Sequence, residues 1–184
     1  MKPVIDSRIN FEEAVYGTAA PESIISSLCL MDVCYFSFDG RLHQGQLVIH
    51  QSLKKDMEEI FAIIEKSRFP VAKAIPIVKY GWSDDASMAD NNTSAFNYRF
   101  VAGTKNLSRH AWGMAVDINP FQNPVIYQNG ISEPVNAVYA PSESGSFSED
   151  HPIVREFIRR GWHWGGHFDD MKDYHHFDKK TVTL

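Results

Sequence analysis

The run Met114-Ala115-Val116-Asp117-Ile118-Asn119 alternates apolar side chains with small or polar ones. A period of two belongs to a strand with one buried face, so Met114, Val116 and Ile118 are expected to enter a core and Asp117 to face away from it. Ala115, on the side of Asp117, leaves that side uncrowded. His110 lies seven residues before Asp117. In an unbroken strand that odd separation would put the two on opposite faces. Gly113 stands between them and can bend the chain, which would swing His110 back beside Asp117. Taken alone, the pair fits half of a metal site. It fits equally well a buried histidine with an aspartate capping a turn.

A second block supplies what the first lacks. It reads Gly161-Trp162-His163-Trp164-Gly165-Gly166-His167-Phe168 and, soon after, Asp173-Tyr174-His175-His176-Phe177. Asp173 and His176 are three apart, so one helical turn or a tight bend would set them side by side. A ligand and a general base need that proximity, because the base must reach the water a metal activates. Two imidazoles, one carboxylate ligand and a spare carboxylate make up the inventory of a catalytic zinc site. Trp162, Trp164, Phe168 and Phe177 are expected to wall such a site, and Gly165 and Gly166 to admit backbone closely. The plainer reading of the same residues is an aromatic core strand with solvent-facing histidines.

In order and spacing, Ser108-x-His110-x-x-Gly113-x-Ala115-x-Asp117, Gly161-Trp162-x-Trp164-Gly165-Gly166 and Asp173-x-x-His176-Phe177 resemble the zinc D-alanyl-D-alanine carboxypeptidase family. That family includes VanY-like carboxypeptidases and L-alanyl-D-glutamate endopeptidases. The resemblance covers residues 92–177. It implies a compact α+β domain, a small antiparallel sheet flanked by helices, of the kind shared with the Hedgehog signalling domain. It implies a zinc-dependent peptidase acting on peptidoglycan stem peptides. His110, Asp117 and His176 would hold Zn2+, and Asp173 would be the general base. Arg99 would polarise the scissile carbonyl, the alternative for it being a surface ion pair. Ser108 and Trp164 would contact substrate. The chain departs from the family pattern at His167 and His175. His175 adjoins His176, so in an extended chain only one of them can ligate. His176 is preferred because Phe177 follows it and Asp173 precedes it by three. His163 and His167 are expected to be solvated, the alternative for each being a contact with substrate or with a metal ligand.

The remaining sequence is consistent with this reading. A chain of 184 residues is long enough for one well-buried core, and a lead-in over 1–25 followed by one domain over 26–184 is expected. The net charge of -5 argues against a nucleic-acid partner. No stretch is long enough to span a membrane. The start lacks a charged segment followed by an apolar run. The expected location is the cell envelope or outside the cell, the export signal having been removed or replaced by a phage-type route. Cys29 and Cys34, five apart, would diverge on a strand and stay free as buried packing residues.

Elsewhere, Val33–Phe38 and Gln46–His50 read as a hairpin around Asp39-Gly40. A helix capped by Ser52 is expected to run to Lys66, with Leu53, Met57, Ile60, Phe61 and Ile64 on one face. Residues 71–80 read as a strand and 82–93 as a polar loop beside the cleft. The proline-rich stretch 119–148 is expected either to wall or cover a substrate groove or to be a flexible surface excursion. A helix from Ser148 or Asp150 to Arg160 would bury Ile153, Val154, Phe157 and Ile158 and stop at Gly161. Arg155, Arg159 and Arg160 are candidates for binding a substrate carboxylate, or else form that helix's solvated face. A non-catalytic zinc module that binds wall peptides is the competing function. Iron and manganese also accept such ligands.

Overall fold

The computed structural model describes residues 2–180. The start of the chain, expected as an extended lead-in, is folded against the rest. It forms β1 (Val4–Ile5), α1 (Phe11–Val15) and α2 (Glu22–Ile25). Asn10 and Glu13 close a capping box on α1, a readable helix-start signal. Ala14 and Ile24 are buried there against Leu28, Val48 and Phe96, so these short helices are held by burial rather than by propensity.

The predicted hairpin is present and longer than expected. β2 (Leu28–Phe36) pairs antiparallel with β3 (Leu42–His50), and β1 adds parallel to β3. Cys29 and Cys34 on β2 are free and half-buried. A 3-10 turn, Gln51–Leu53, leads into α3 (Lys54–Ser67). Ser52 does not cap it. The His50 ring instead accepts from the Ser52 N–H. Met57, Ile60, Phe61 and Ile64 of α3 are buried as the periodicity requires, each contributing at most about 1.5–3 kcal/mol by leaving water.

Residues 71–80 are only briefly a strand, β4 (Lys73–Ala74). Past Pro76 the chain turns into a 3-10 helix, Ile77–Tyr80, because proline ends the ladder. The expected polar loop carries α4 (Asp84–Ala89), capped by the Ser83 side chain. β5 (Asn92–Thr93) then pairs parallel with β4. Beyond β6 (Ala115–Asp117), the stretch 119–148 holds a small hairpin, β7 (Val125–Tyr127) and β8 (Ser132–Glu133).

Two buried asparagines tie that stretch down. Asn119 donates to the carbonyls of Pro70 and Gly145 at 2.7 and 3.2 Å. Asn123 donates to the Gly145 carbonyl at 2.9 Å and accepts from Phe147 N–H at 2.6 Å. The C-terminal part runs α5 (Pro152–Arg159), β9 (His163–Trp164), β10 (Met171–Asp173) and β11 (His176–Asp178). His151, not Ser148 or Asp150, caps α5, and Ile158 is 40% exposed rather than inward. β10 joins β7, while β11 lies between β6 and β9. The architecture is α+β, but it holds several small sheets, one of them mixed, instead of a single antiparallel one. No helix among the described residues is long and apolar enough to cross a membrane.

Candidate metal centre

The sheet β6–β11–β9 has two chemically opposite faces. Val116 of β6 pairs with Phe177 of β11, and Phe177 with Trp164 of β9. All three are buried in the main core, where Phe177 stacks on Phe157 at 3.9 Å between ring centroids. One residue along, the pleat reverses. Asp117 pairs with His176, while Asp178 faces Ala115 on one side and His163 on the other. The apolar face thus fixes which side chains look out, and a polar row lies on the other side of the same strands.

This corrects the expectation for Trp164. It lies on the core side of the pleat, 3% exposed, its indole N–H donating to the Tyr174 carbonyl at 2.9 Å. It does not line the cavity that holds the polar row. Trp162 donates to Asp56 and Phe177 is core, so of the four expected wall residues only Phe168 reaches the cavity.

His110 arrives from another element. It sits in a 3-10 helix, Arg109–Trp112, whose start is capped by Ser108 Oγ and whose end is Gly113 at φ 64°. The bend expected at Gly113 is therefore real, and a left-handed φ favours glycine there. The His110 ring comes within 3.1 Å of Asp117 Oδ2 through Nε2. His176 Nδ1 lies 2.9 Å from Asp117 Oδ1 and 3.2 Å from His110 Nε2. One ligand atom from each of the three lies within 4.8 Å of the others.

The donor chemistry fits a cation. His110 Nδ1 donates to the Ala95 carbonyl at 2.5 Å, so in the neutral ring Nε2 carries the lone pair. Two imidazole nitrogens and a carboxylate then converge with acceptor atoms inward, a set that suits zinc. Burial opposes charge on Asp117, yet the rings of His110, His175 and His176 hold its carboxyl well below the ordinary value. Burial likewise opposes charge on His176, and the carboxylates of Asp117, Asp178 and Asp173 outweigh it, so its pKa is pushed up to about 10.

A cavity of about 310 Å³ opens onto this trio. Asp173 lines it from the end of β10. Gly165 lets the Asp173 backbone approach so closely that a Cβ there would run into the Asp173 carbonyl oxygen. Asp173 and His176 both line this cavity, and the two-residue turn Tyr174-His175 separates them rather than a turn of helix. Arg99 lines the cavity too, its Nη2 2.9 Å from Asp84 Oδ2 and its buried Nε without a partner. The arginine is therefore both ion-paired and aimed at the cleft. Ser108 is 5% exposed at the cavity edge. β7 and β8 contribute Val125, Tyr127 and Glu133, so the stretch 119–148 does form a wall. His163 and His167 are exposed at the surface. Arg155, Arg159 and Arg160 pair with carboxylates on and beside α5 and do not reach the cavity.

His175, Asp178 and Asp84 also line the cavity; the sequence left the role of His175 open and gave the other two none. His175 is 2% exposed, donates from Nδ1 to the Asn123 carbonyl at 2.7 Å, and sets Nε2 3.0 Å from Asp173 Oδ1. Its position depends on Asn123, 52 residues away, and no local signal announces that. Asp178 shares the parity of His176, which was readable. Asp84 follows the cap Ser83, which was also readable.

Residues 102–179 match the family model described as D-alanyl-D-alanine carboxypeptidase. No curated protein and no solved structure matches the chain.

Proposed function

We propose that this chain, a member of the D-alanyl-D-alanine carboxypeptidase family over residues 102–179, is a zinc peptidase that hydrolyses peptidoglycan stem peptides. The observation that carries the reading is convergence. His110, Asp117 and His176 present ligand atoms within 4.8 Å of one another, in a cavity that Asp173 and Arg99 also line. The fold that goes with the reading is that of the Hedgehog and DD-peptidase group, and the place of action is the cell envelope or beyond it.

His110, Asp117 and His176 would hold the ion, leaving a position open to the cavity. A bound zinc supplies Lewis-acid polarisation and lowers the pKa of a water to near neutrality. Asp173 takes the proton from the attacking water and hands it to the leaving amine as the peptide bond breaks. Arg99, steadied by Asp84, donates to the carbonyl oxygen as negative charge develops there. Ser108 both caps the helix that carries His110 and contacts the bound peptide at the cavity edge. His175, anchored on Asn123, packs beside Asp173, with Nε2 3.0 Å from its Oδ1.

The test is mass spectrometry of muropeptides incubated with zinc-loaded protein, beside a chelated control and an Asp173→Ala variant. Chelator-sensitive release of a terminal D-alanine identifies a carboxypeptidase, and chelator-sensitive cleavage within the stem identifies an endopeptidase. Asp173→Ala should retain zinc and lose cleavage. Unchanged turnover in that variant would remove Asp173 from the mechanism. A wild type that holds zinc without cleaving would favour the wall-peptide binding module.

A further inference from the structure

The two imidazoles of the trio use different nitrogens. His110 offers Nε2, and its other nitrogen is fixed by the Ala95 carbonyl. His176 presents Nδ1 to Asp117 and His110, so with a metal on Nδ1 its remaining ring proton would sit on Nε2. That nitrogen is 3.4 Å from Asp178 Oδ2. Asp178 is 6% exposed, and its other oxygen, Oδ1, is buried without a hydrogen-bond partner. His163 Nδ1 is 3.6 Å from that oxygen. The neighbouring Lys179 turns elsewhere, to Asp56 at 2.8 Å.

A carboxylate buried at this point is costly, because desolvating an ion carries a penalty of several kcal/mol unless a partner offsets it. Asp178 caps no helix and closes no turn among the described residues. Its cross-strand neighbour on β6 is Ala115, whose methyl leaves room for the carboxylate and nothing that would satisfy it. The group it is positioned to serve is His176 Nε2.

We infer that Asp178 is a positioning residue for the metal. It holds the His176 proton on Nε2 and the ring in the plane that aims Nδ1 at the ion, so that metal affinity depends on it. This rests on the trio being a metal centre, and it extends that reading to a residue with no contact to metal or substrate. Partners of this kind on ligand histidines are worth about 10–100-fold in metal affinity.

The experiment measures zinc Kd by competition with a chromogenic chelator, for wild type, Asp178→Leu, Asp178→Asn and His163→Ala. Leucine keeps the volume, removes the buried charge and cannot accept from Nε2–H. Asparagine keeps an accepting oxygen. Asp178→Leu should bind zinc about 10–100-fold more weakly, Asp178→Asn should lie between it and wild type, and His163→Ala should match wild type. Metal-free thermal unfolding of the same proteins separates affinity from folding. A leucine variant that unfolds no earlier than wild type yet loses zinc affinity supports the inference. Should leucine not fold, asparagine decides. Asp178→Leu within about threefold of wild type, far short of the effect such partners have, would overturn it, as would Asp178→Asn equal to wild type where leucine fails to fold. A wild type that takes up no zinc overturns the metal reading and this inference together.

Discussion

Replacing Gly113 by alanine tests how His110 is delivered to Asp117. Gly113 has φ 64°, and a Cβ there would lie 2.7 Å from His50 N, 2.7 Å from Leu28 Cδ2 and 3.1 Å from Ile49 C. Leu28 can rotate its side chain. His50 N cannot retreat, since its N–H donates to the Gly113 carbonyl at 2.9 Å from within β3. The left-handed backbone costs alanine about 1–2 kcal/mol, and overpacking against fixed backbone about 1–3 kcal/mol. The sum, about 2–5 kcal/mol, is a large fraction of the roughly 5–15 kcal/mol that holds a domain folded. Urea unfolding of the metal-free protein measures it without interference from ligand linkage. Asparagine tolerates the left-handed region but carries the same Cβ, so Gly113→Asn should recover the backbone share and keep the steric one. A loss under about 1 kcal/mol for Gly113→Ala would refute both contributions and with them the claim that this position needs glycine.

Gly165→Ala should push the Asp173 backbone away, because its Cβ would meet the Asp173 carbonyl oxygen and lie 2.9 Å from Asp173 Cβ. With the proposed base displaced by about 1 Å, peptide cleavage should fall about a hundredfold while zinc still binds. Steady-state kinetics beside chelator competition reads both, and undiminished cleavage would contradict the placement. The pH dependence of the metal-free protein follows from His176, whose pKa rises from 6.5 to about 10 on folding. A raised pKa means that the folded state holds the proton more tightly, so its stabilisation is complete below 6.5 and is lost as pH climbs through about 10. Thermal unfolding from pH 6 to 10 should show that decline without zinc and a smaller one with it. Stability that rises over this range would show that His176 does not hold the proton.

Much of the fold was readable where local physics is decisive. The α3 stripe, the β2–β3 hairpin, the stop at Gly161 and the bend at Gly113 each follow from a period or from one residue's conformational freedom. Two misses had local signals that were passed over: the Asn10–Glu13 box of α1 and the Ser83 cap of α4. In residues 71–80 Pro76 was a local signal that the strand ends early, while its pairing with β5 over two residues had none. Ile158 has the helical spacing of an inward residue but is 40% exposed, because nothing among the described residues covers that side of α5.

The site divides along the same line. Residue type and spacing supplied the candidate ligands, two imidazoles and one carboxylate with a spare carboxylate nearby, and placed Asp117 on the face opposite Val116 on its strand. These are consequences of side-chain chemistry and of the two-residue pleat, both local. The tertiary structure decided which strands met and in what register. Setting β11 between β6 and β9 brought Asp117 against His176 and Asp178 beside it, and sent Trp164 with Phe177 into the core. A shift of one residue in either pairing would exchange those faces. That choice is made by the apolar row Val116–Phe177–Trp164 seeking one common core, which is a property of the assembled chain and of no segment within it.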